Sequence, residues 1–332
     1  MKPLRIRLMS QRGGFDEALL KKRMPGGTLD HGDVVFVLDD LYPADVVVVQ
    51  NYLKYDKKVE AREGYIWKWD NEPIVRNTVS RGYDRVFSHS HYPGHSNRIP
   101  SPPILDWWVG KTFDELLGMD PPEKTGRLSA IASTKIDIPG HRLRNAFIEQ
   151  VAREFPDIHL FGHGRTHELT DKWDGLAPFT HSLAIENTTA PDYWTEKIAD
   201  CFLSFTVPLY FGATNIDRYF PKKSFIWLPL DNFDAAARVI RRALDDDDWE
   251  ERLEAVKTAR ELILNKYSFY AQLSSRVRDE AEIIRSVRRR RRKVHGRRTT
   301  RSGWIRGKGL SGNIRARIAR RRMRTSSNGH DD

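Results

Sequence analysis

The stretch SLAIENTTAPDYWTEKIADCFLSFTVPLYFG, residues 182–212, decides how the chain is read. A strand is expected over His181–Glu186, followed by a loop containing Pro191 and a helix from about Asp192 to Phe205. A second apolar strand, Val207–Tyr210, comes directly after. Strand, crossover helix and strand is the repeating unit of a parallel α/β sheet. Where the strand end meets the helix start, unpaired amide N–H groups point outward and favour an anion such as phosphate. Lys197 would add a cation there, and Glu196 could hold a ribose or sugar hydroxyl. The competing reading is a plain helix start, with Asp192 or Thr195 as cap and Glu196 complementing the dipole.

The same alternation continues on both sides. Upstream, a strand at Leu128–Ser133 leads through a Pro139-Gly140 turn into a helix at about His141–Phe155. A strand at Ile158–Phe161 then ends in Gly162 and Gly164. Downstream come a short strand, Ser224–Leu228, and two helices, Phe233–Leu244 and Glu250–Leu264. In the first half, Leu4–Met9, Val34–Leu38 and Asp45–Val49 have the Val, Ile and Leu content of buried parallel strands. Tyr65–Trp69 and Asp84–His89 look similar with more polar residues. Asp106–Leu117 offers Trp107, Trp108, Phe113 and Leu117 to bury a face, and Gly118, Pro121, Pro122 and Gly126 mark a crossing near 118–125. The expected fold class is α/β, with two Rossmann-like domains facing a cleft and ligands at the carboxyl ends of the strands. The domains are expected at 1–122 and 123–284, with a basic tail at 285–332. No GxGxxG or Walker motif is present, which weakens dehydrogenase and P-loop readings.

Charge separates body from tail. The 332 residues carry 56 Lys and Arg against 45 Asp and Glu, a formal net charge of +11. Eighteen of those bases, and no acid, fall within 285–324, which leaves 38 bases against 45 acids elsewhere. A mildly acidic body excludes a basic nucleic-acid-binding globule, so no specific nucleic-acid partner is expected. The tail contains RRRRRK, Trp304-Ile305, and Leu310, Ile314 and Ile318 at helical spacing. That pattern predicts a basic amphipathic helix lying on an anionic membrane surface. A disordered tail, or one that binds RNA non-specifically, is the competing reading. Cys201 is the single cysteine and cannot form an internal disulfide, which fits a reducing cytosol. The start, MKPLRIRLMS, lacks the apolar core of a signal peptide, and no run reaches the roughly 18 apolar residues of a spanning helix. The expected location is cytoplasmic, peripheral at the inner face of the cytoplasmic membrane.

Several short motifs then fall together. Ile185-Glu186-Asn187, Tyr193-Trp194-Thr195-Glu196-Lys197, Val207-Pro208 and Gly212 occur in order. Pro221-Lys222-Lys223-Ser224-Phe225-Ile226 and Asn232-Phe233-Asp234 follow, and Arg144-Asn145-Ala146-Phe147 lies upstream. This series resembles the donor-site signature of the fucosyltransferases of glycosyltransferase family 10, with Ile185 for the usual Phe and Trp194 for a usual Val. The resemblance implies a GT-B fold, with 1–122 on the acceptor side and 123–284 binding the donor. It implies an inverting glycosyltransferase that moves L-fucose from GDP-fucose to a hydroxyl of a glycan acceptor, of cell-surface polysaccharide or lipopolysaccharide type. Arg144 and Lys197 would neutralise the diphosphate. Asn187, Tyr193 and Glu196 would contact the nucleotide sugar, and Glu186 completes the donor set.

An inverting mechanism also needs a base for the acceptor hydroxyl. The family's counterpart falls in Ile66-Trp67-Lys68-Trp69-Asp70-Asn71-Glu72-Pro73, where Glu72 is the first choice. Glu72 abuts Pro73 where the family more commonly has Glu-x-Pro, so Asp70 stays open as a substitute. No cofactor is required, and a divalent metal is compatible without being implied. The alternatives are a transferase of another nucleotide sugar, or a catalytically inactive adaptor at a membrane or nucleic acid. His89, His91 and His95 suggest an acceptor or structural role before a metal site. His159, His163 and His167 could line the donor cleft. Asp245–Asp248 reads as a solvated turn that caps the next helix.

Overall fold

The computed structural model describes residues 1–10, 15–39, 43–53, 55–73, 82–90, 96–165 and 167–294. His91, His95 and the amphipathic pattern at 310–318 lie outside the described residues. Among the described residues no helix is long and apolar enough to cross a membrane.

Two parallel sheets form the body. The first is built from β1 (Leu4–Ser10), β2 (Val34–Val37), β3 (Val46–Gln50), β5 (Ile66–Trp69), β6 (Arg85–Ser88) and β7 (Arg98–Pro100), in the order β2-β1-β3-β5-β6-β7. Every neighbouring pair is parallel. In β3 the side chains of Val46, Val47, Val48 and Val49 are all buried, which is why this run carries no alternation. A short helix, α1 (Glu17–Lys22), is N-capped by Asp16, whose carboxylate accepts from the Leu19 N–H. The remaining strand of this half, β4 (Lys57–Arg62), stands apart from the six-stranded sheet.

The second sheet has the order β12-β11-β10-β8-β9, again all parallel. Its strands are β8 (Gly126–Ile131), β9 (His159–Phe161), β10 (Phe179–Ile185), β11 (Val207–Phe211) and β12 (Ile226–Trp227). Helices cover both faces. On one side α3 (Pro139–Glu154) and α5 (Phe233–Asp246) bury Phe147, Ile148, Val151, Ala236 and Ile240 against Leu128, Leu183 and Leu209. On the other, α4 (Glu196–Leu203) and α6 (Trp249–Leu262) pack Ile198, Phe202, Val256 and Ala259 around Trp194 and Tyr210. The helix expected from Asp192 begins later, at Glu196. Asp192 has a left-handed backbone (φ 65°), and Thr195 is the residue that caps.

The expected helix Asp106–Leu117 is shorter than its pattern. Only α2 (Phe113–Leu117) is helical, fixed by a Thr112–Glu115 capping box. Trp107, Phe113 and Leu116 are buried, but Trp108 and Leu117 are about half exposed (51% and 55%). The apolar count there overstates the buried face.

The largest departure concerns the C-terminal arm. Helices α7 (Phe269–Asp279) and α8 (Ala281–Ser286) pack on the first sheet, where Phe269, Leu273, Val277 and Ile284 share a core with Ile6, Phe36 and Trp67. The arginine run follows as β13 (Arg289–Val294), antiparallel to β4, with Val294 buried beside Val47, Val59 and Ile66. Residues 285–294, expected within the tail, are thus part of the body. Acids from the first half meet their charges: Arg289–Asp45 at 2.7 Å, Lys293–Asp56 at 2.8 Å, Arg290–Glu63 at 3.2 Å and Arg292–Asp84 at 2.5 Å.

Candidate active site

The expected donor residues gather where β10 ends and two helices begin. Glu186, the residue after β10, is buried, and its carboxylate accepts from the Thr195 amide at 2.7 Å and the Thr195 hydroxyl at 2.8 Å. Lys197 Nζ donates to Glu186 at 3.1 Å, to the Thr195 hydroxyl at 3.0 Å and to Glu196 at 3.3 Å. Thr195 therefore joins the strand end to the first turn of α4. Burial works against the charge on Lys197, but Glu186 and Glu196 outweigh it and raise the ammonium above its ordinary range. Burial pushes the Glu186 carboxyl up, with Lys197 opposing. Glu196 goes the other way, because Lys197 and Lys172 overcome its burial and hold it low.

Arg144 stands beside this cluster on α3. Its Nη1 donates to the Asn187 side-chain oxygen at 2.8 Å and its Nη2 to the Ser133 carbonyl at 3.2 Å. Both partners are neutral, and Arg144 Nε has no hydrogen-bond partner among the described residues. The two cations thus differ: Lys197 is ion-paired, whereas Arg144 forms no ion pair among the described residues and feels Glu186 and Glu196 only at longer range. Two glycines allow the close packing. A Cβ on Gly140, at the start of α3, would lie 1.7 Å from the Asn187 carbonyl oxygen. One on Gly212 would lie 2.6 Å from Glu186 Cγ and 2.2 Å from the Tyr210 hydroxyl. Gly212 thus leaves Glu186 its place, whereas Val207-Pro208 opens β11 at its far end, in register with His181 and Ser182.

Tyr193 is buried, with its ring 4.6 Å from the ring of His89 at the carboxyl end of β6. That contact bridges the two sheets' strand ends and brings the first half's Asp70 into electrostatic reach of the donor stretch through His89. Trp194, where a Val is usual in the resembled signature, is fully buried against Tyr219, Phe220 and Tyr267.

The two base candidates sit differently. Asp70, just beyond β5, is 2% exposed and pairs with buried Lys68 at 2.8 Å. Glu72 is half-buried two residues further on. The adjacent Asn71 is fixed by accepting from the Ile104 N–H at 2.9 Å and donating to the Ile104 carbonyl at 3.1 Å.

Other neighbours of the site carry no local mark in the sequence. Lys172 donates to Asp200 at 2.8 Å, and Asp200, one turn along α4 from Glu196, also accepts from the Trp108 amide at 2.9 Å. Asp106 is raised by burial, against the pull of Arg23 at 3.0 Å, and feels Glu196. These charges converge from separated segments, so only the fold reveals them. Of the histidines, it is His141 on α3, which nothing in the sequence singles out, that feels Arg144 and Lys197, while His167 packs on Phe161 with ring centroids 6.3 Å apart. His159 packs on Phe179 with ring centroids 5.0 Å apart, and His163 pairs with Glu168 at 3.2 Å in an exposed loop. The turn expected over Asp245–Asp248 starts later, since Asp245 and Asp246 still belong to α5, and Asp248 precedes α6 without a side-chain capping bond, pairing instead with Arg252 at 2.5 Å. Among the described residues no three His, Cys, Asp or Glu side chains come together as a metal cluster.

Comparison with known proteins fits this geometry. Residues 123–251 match the family described as glycosyltransferase family 10 (fucosyltransferase) C-term, and that segment is a domain of this family. It contains Arg144, Asn187, Tyr193, Glu196 and Lys197. The chain is 32% identical over 126 residues to an alpha-(1,3)-fucosyltransferase of Helicobacter pylori, covering 36% of this chain and 25% of that protein. It is 26% identical over 225 residues to a 3-galactosyl-N-acetylglucosaminide 4-alpha-L-fucosyltransferase of Pan troglodytes, covering 62% and 58%. The chain thus spans about a quarter of the Helicobacter relative and just over half of the other. A crystal structure of an alpha1,3-fucosyltransferase with GDP-fucose superposes with a TM-score of 0.50 at 17% identity, over 80% of this chain and 92% of that one. The shared fold is of the GT-B type.

Proposed function

We propose, from the family 10 domain at 123–251, that the protein is an inverting fucosyltransferase moving L-fucose from GDP-fucose to a hydroxyl of a glycan acceptor. The observation that carries this reading is the convergence of Arg144 and Lys197 on the N-terminal turns of α3 and α4. They meet at the strand end where open α/β sheets hold ligands. Breaking the sugar–phosphate bond leaves charge on the departing GDP, and fixed cations and amides that meet it lower the barrier. Arg144, which hydrogen-bonds to neutral partners and forms no ion pair among the described residues, is the cation better placed to meet the diphosphate. Lys197 would share that task while Glu186 and Thr195 fix its position. Asn187, Tyr193 and Glu196 would contact the nucleotide sugar. Cations and helix amides supply the positive charge in this reading, so a divalent metal is compatible with it but not required.

The base takes the acceptor proton on the face opposite the diphosphate. Glu72 fits that role better than Asp70, because the Asp70 carboxylate is buried against Lys68 while Glu72 is only half-buried. The acceptor we propose is a cell-surface polysaccharide or lipopolysaccharide glycan. The basic segment beyond 294 would hold the protein peripherally at the inner face of the cytoplasmic membrane. Titration with GDP tests the donor assignment. Arg144→Ala should weaken binding about 10- to 100-fold, the worth of a charge-assisted bond of about 1.5–3 kcal/mol. Glu72→Gln should leave GDP affinity intact and abolish transfer. Unchanged affinity in Arg144→Ala would remove its phosphate role, and retained transfer in Glu72→Gln would move the base to Asp70.

A further inference from the structure

At the opposite end of the first sheet from the cleft lies a second concavity. It opens at the amino ends of β1 and β3, where Leu4, Arg5 and Asp45 stand. The side chains discussed above, Asp70 and His89, follow the carboxyl ends of β5 and β6. A seven-residue strand such as β1 rises by about 3.3 Å per residue, so the two places are about 20 Å apart. The C-terminal arm forms one wall through Arg285 and Arg289. The cavity measures about 510 Å³.

Its charge is one-sided. Lys2, Arg5, Arg62, Arg285 and Arg289 line it, and Asp45 is the single carboxylate among the lining residues. That carboxylate is already used: it accepts from the Arg5 amide at 2.9 Å, Arg62 Nε at 3.0 Å and Arg289 Nη2 at 2.7 Å. Arg289 Nε has no hydrogen-bond partner among the described residues. Lys2 and Arg285 form no ion pair among the described residues, and the Arg285 guanidinium donates to the Lys2 carbonyl at 3.4 Å. Arg62 and Arg289 share the one carboxylate, and Lys2 and Arg285 add their charge beside them, so an anion of charge two or more would offset the repulsion among them. Guanidinium forks match phosphate oxygens in geometry as well as charge. The volume exceeds that of a bare phosphate and suits a phosphate attached to an organic group.

We propose that this cavity is a second ligand site, separate from the cleft, which binds a phosphate- or diphosphate-bearing small molecule. The phosphoryl group would sit between Lys2, Arg285 and Arg289. Its source could be a soluble phosphorylated compound or the headgroup of a lipid, and the two are separable by experiment.

Inorganic pyrophosphate titrated into the full chain tests the site. Arg144→Ala serves as the control for pyrophosphate held in the cleft. Binding should weaken tenfold or more in Lys2→Gln/Arg285→Gln and persist in Arg144→Ala. The charge-keeping pair Lys2→Arg/Arg285→Lys should bind as the unsubstituted protein does, which separates lost charge from damaged folding. Vesicles of phosphatidylglycerol, compared with phosphatidylcholine, identify the source. Vesicle binding that falls with the neutral pair supports a lipid headgroup, and pyrophosphate binding without a vesicle effect supports a soluble ligand. The proposal is overturned if the neutral pair binds both probes unchanged, or if all pyrophosphate binding disappears with Arg144→Ala.

Discussion

Gly140→Ala probes the donor cluster through a residue that would touch no donor atom. The added methyl would lie 1.7 Å from the Asn187 carbonyl oxygen and 2.5 Å from its carbonyl carbon. Both are backbone atoms at the end of β10, so no side-chain rotation relieves the overlap. The two segments must separate by about 1.7 Å to reach the 3.4 Å of ordinary contact. Alanine favours helix over glycine by at most about 1 kcal/mol, and by less in a first turn. Overpacking costs about 1–3 kcal/mol, so the clash wins and stability should fall by about 1–2 kcal/mol. The effect on ligand binding should be larger. Moving Asn187 breaks its 2.8 Å bond to Arg144, and the guanidinium loses the partner that aims it. GDP affinity should then fall about tenfold or more, approaching the loss in Arg144→Ala. Urea unfolding measures the first effect and calorimetric titration with GDP the second. Because the loss that runs through Arg144 is already taken in Arg144→Ala, the further loss in Gly140→Ala/Arg144→Ala should be smaller than that of Gly140→Ala alone, limited to the donor contact of Asn187 itself. A folded Gly140→Ala protein with unaltered GDP affinity would refute the reasoning, and so would losses that simply add.

Four further outcomes follow from how deeply titratable groups are buried. Asp70→Asn leaves the Lys68 ammonium, whose side chain is 1% exposed, without its 2.8 Å partner, and should cost about 3–5 kcal/mol in urea unfolding. Glu72→Gln, at a half-exposed position, should cost less than about 1 kcal/mol in the same assay. Glu186→Ala removes the acceptor for the Thr195 amide and the ion pair to Lys197, and should destabilise by about 3 kcal/mol even with Glu196 still near. A loss below about 1 kcal/mol would show that this cluster is not a buried ion-pair centre. His89 is pushed by burial from 6.5 to about 4. Its folded pKa lies below its unfolded one, so its contribution is complete above pH 6.5 and is lost as pH falls towards 4. The lost stability amounts to about 3 kcal/mol, and His89→Asn should flatten the pH profile over that window. An unchanged profile would contradict the neutral, buried assignment.

The sequence exposes those parts of the structure that depend on local composition. Val46–Val49 buries every side chain in a parallel sheet, so its apolar run identifies it without neighbours. Glu186, Asn187, Tyr193, Glu196 and Lys197 lie within twelve residues, and a strand end followed by a helix start brings them together. What stays hidden depends on distant partners. In β4, KKVEAR, only Val59 and Ala61 face inward, and the signal of a strand is drowned by charge. The run RRRRKV of β13 looks like a solvated tail because its counter-charges, Asp45 and Asp84, are more than 200 residues away in the chain. The same holds for the apposition of His89 with Tyr193 and of Lys172 with Asp200, each made by two segments that the fold alone joins. The role of Gly140 is equally invisible, since a Pro-Gly turn looks like punctuation until Asn187 is found against it.

The central claim is that the Arg144–Lys197 cluster serves a GDP-fucose donor. The direct measurement is release of the nucleoside diphosphate from GDP-fucose, GDP-mannose and UDP-sugars by the full chain, with water and with glycan acceptors. The account predicts that GDP-fucose is consumed fastest and that Arg144→Ala suppresses its turnover. Clear preference for another donor, or turnover of GDP-fucose indifferent to Arg144, would contradict it.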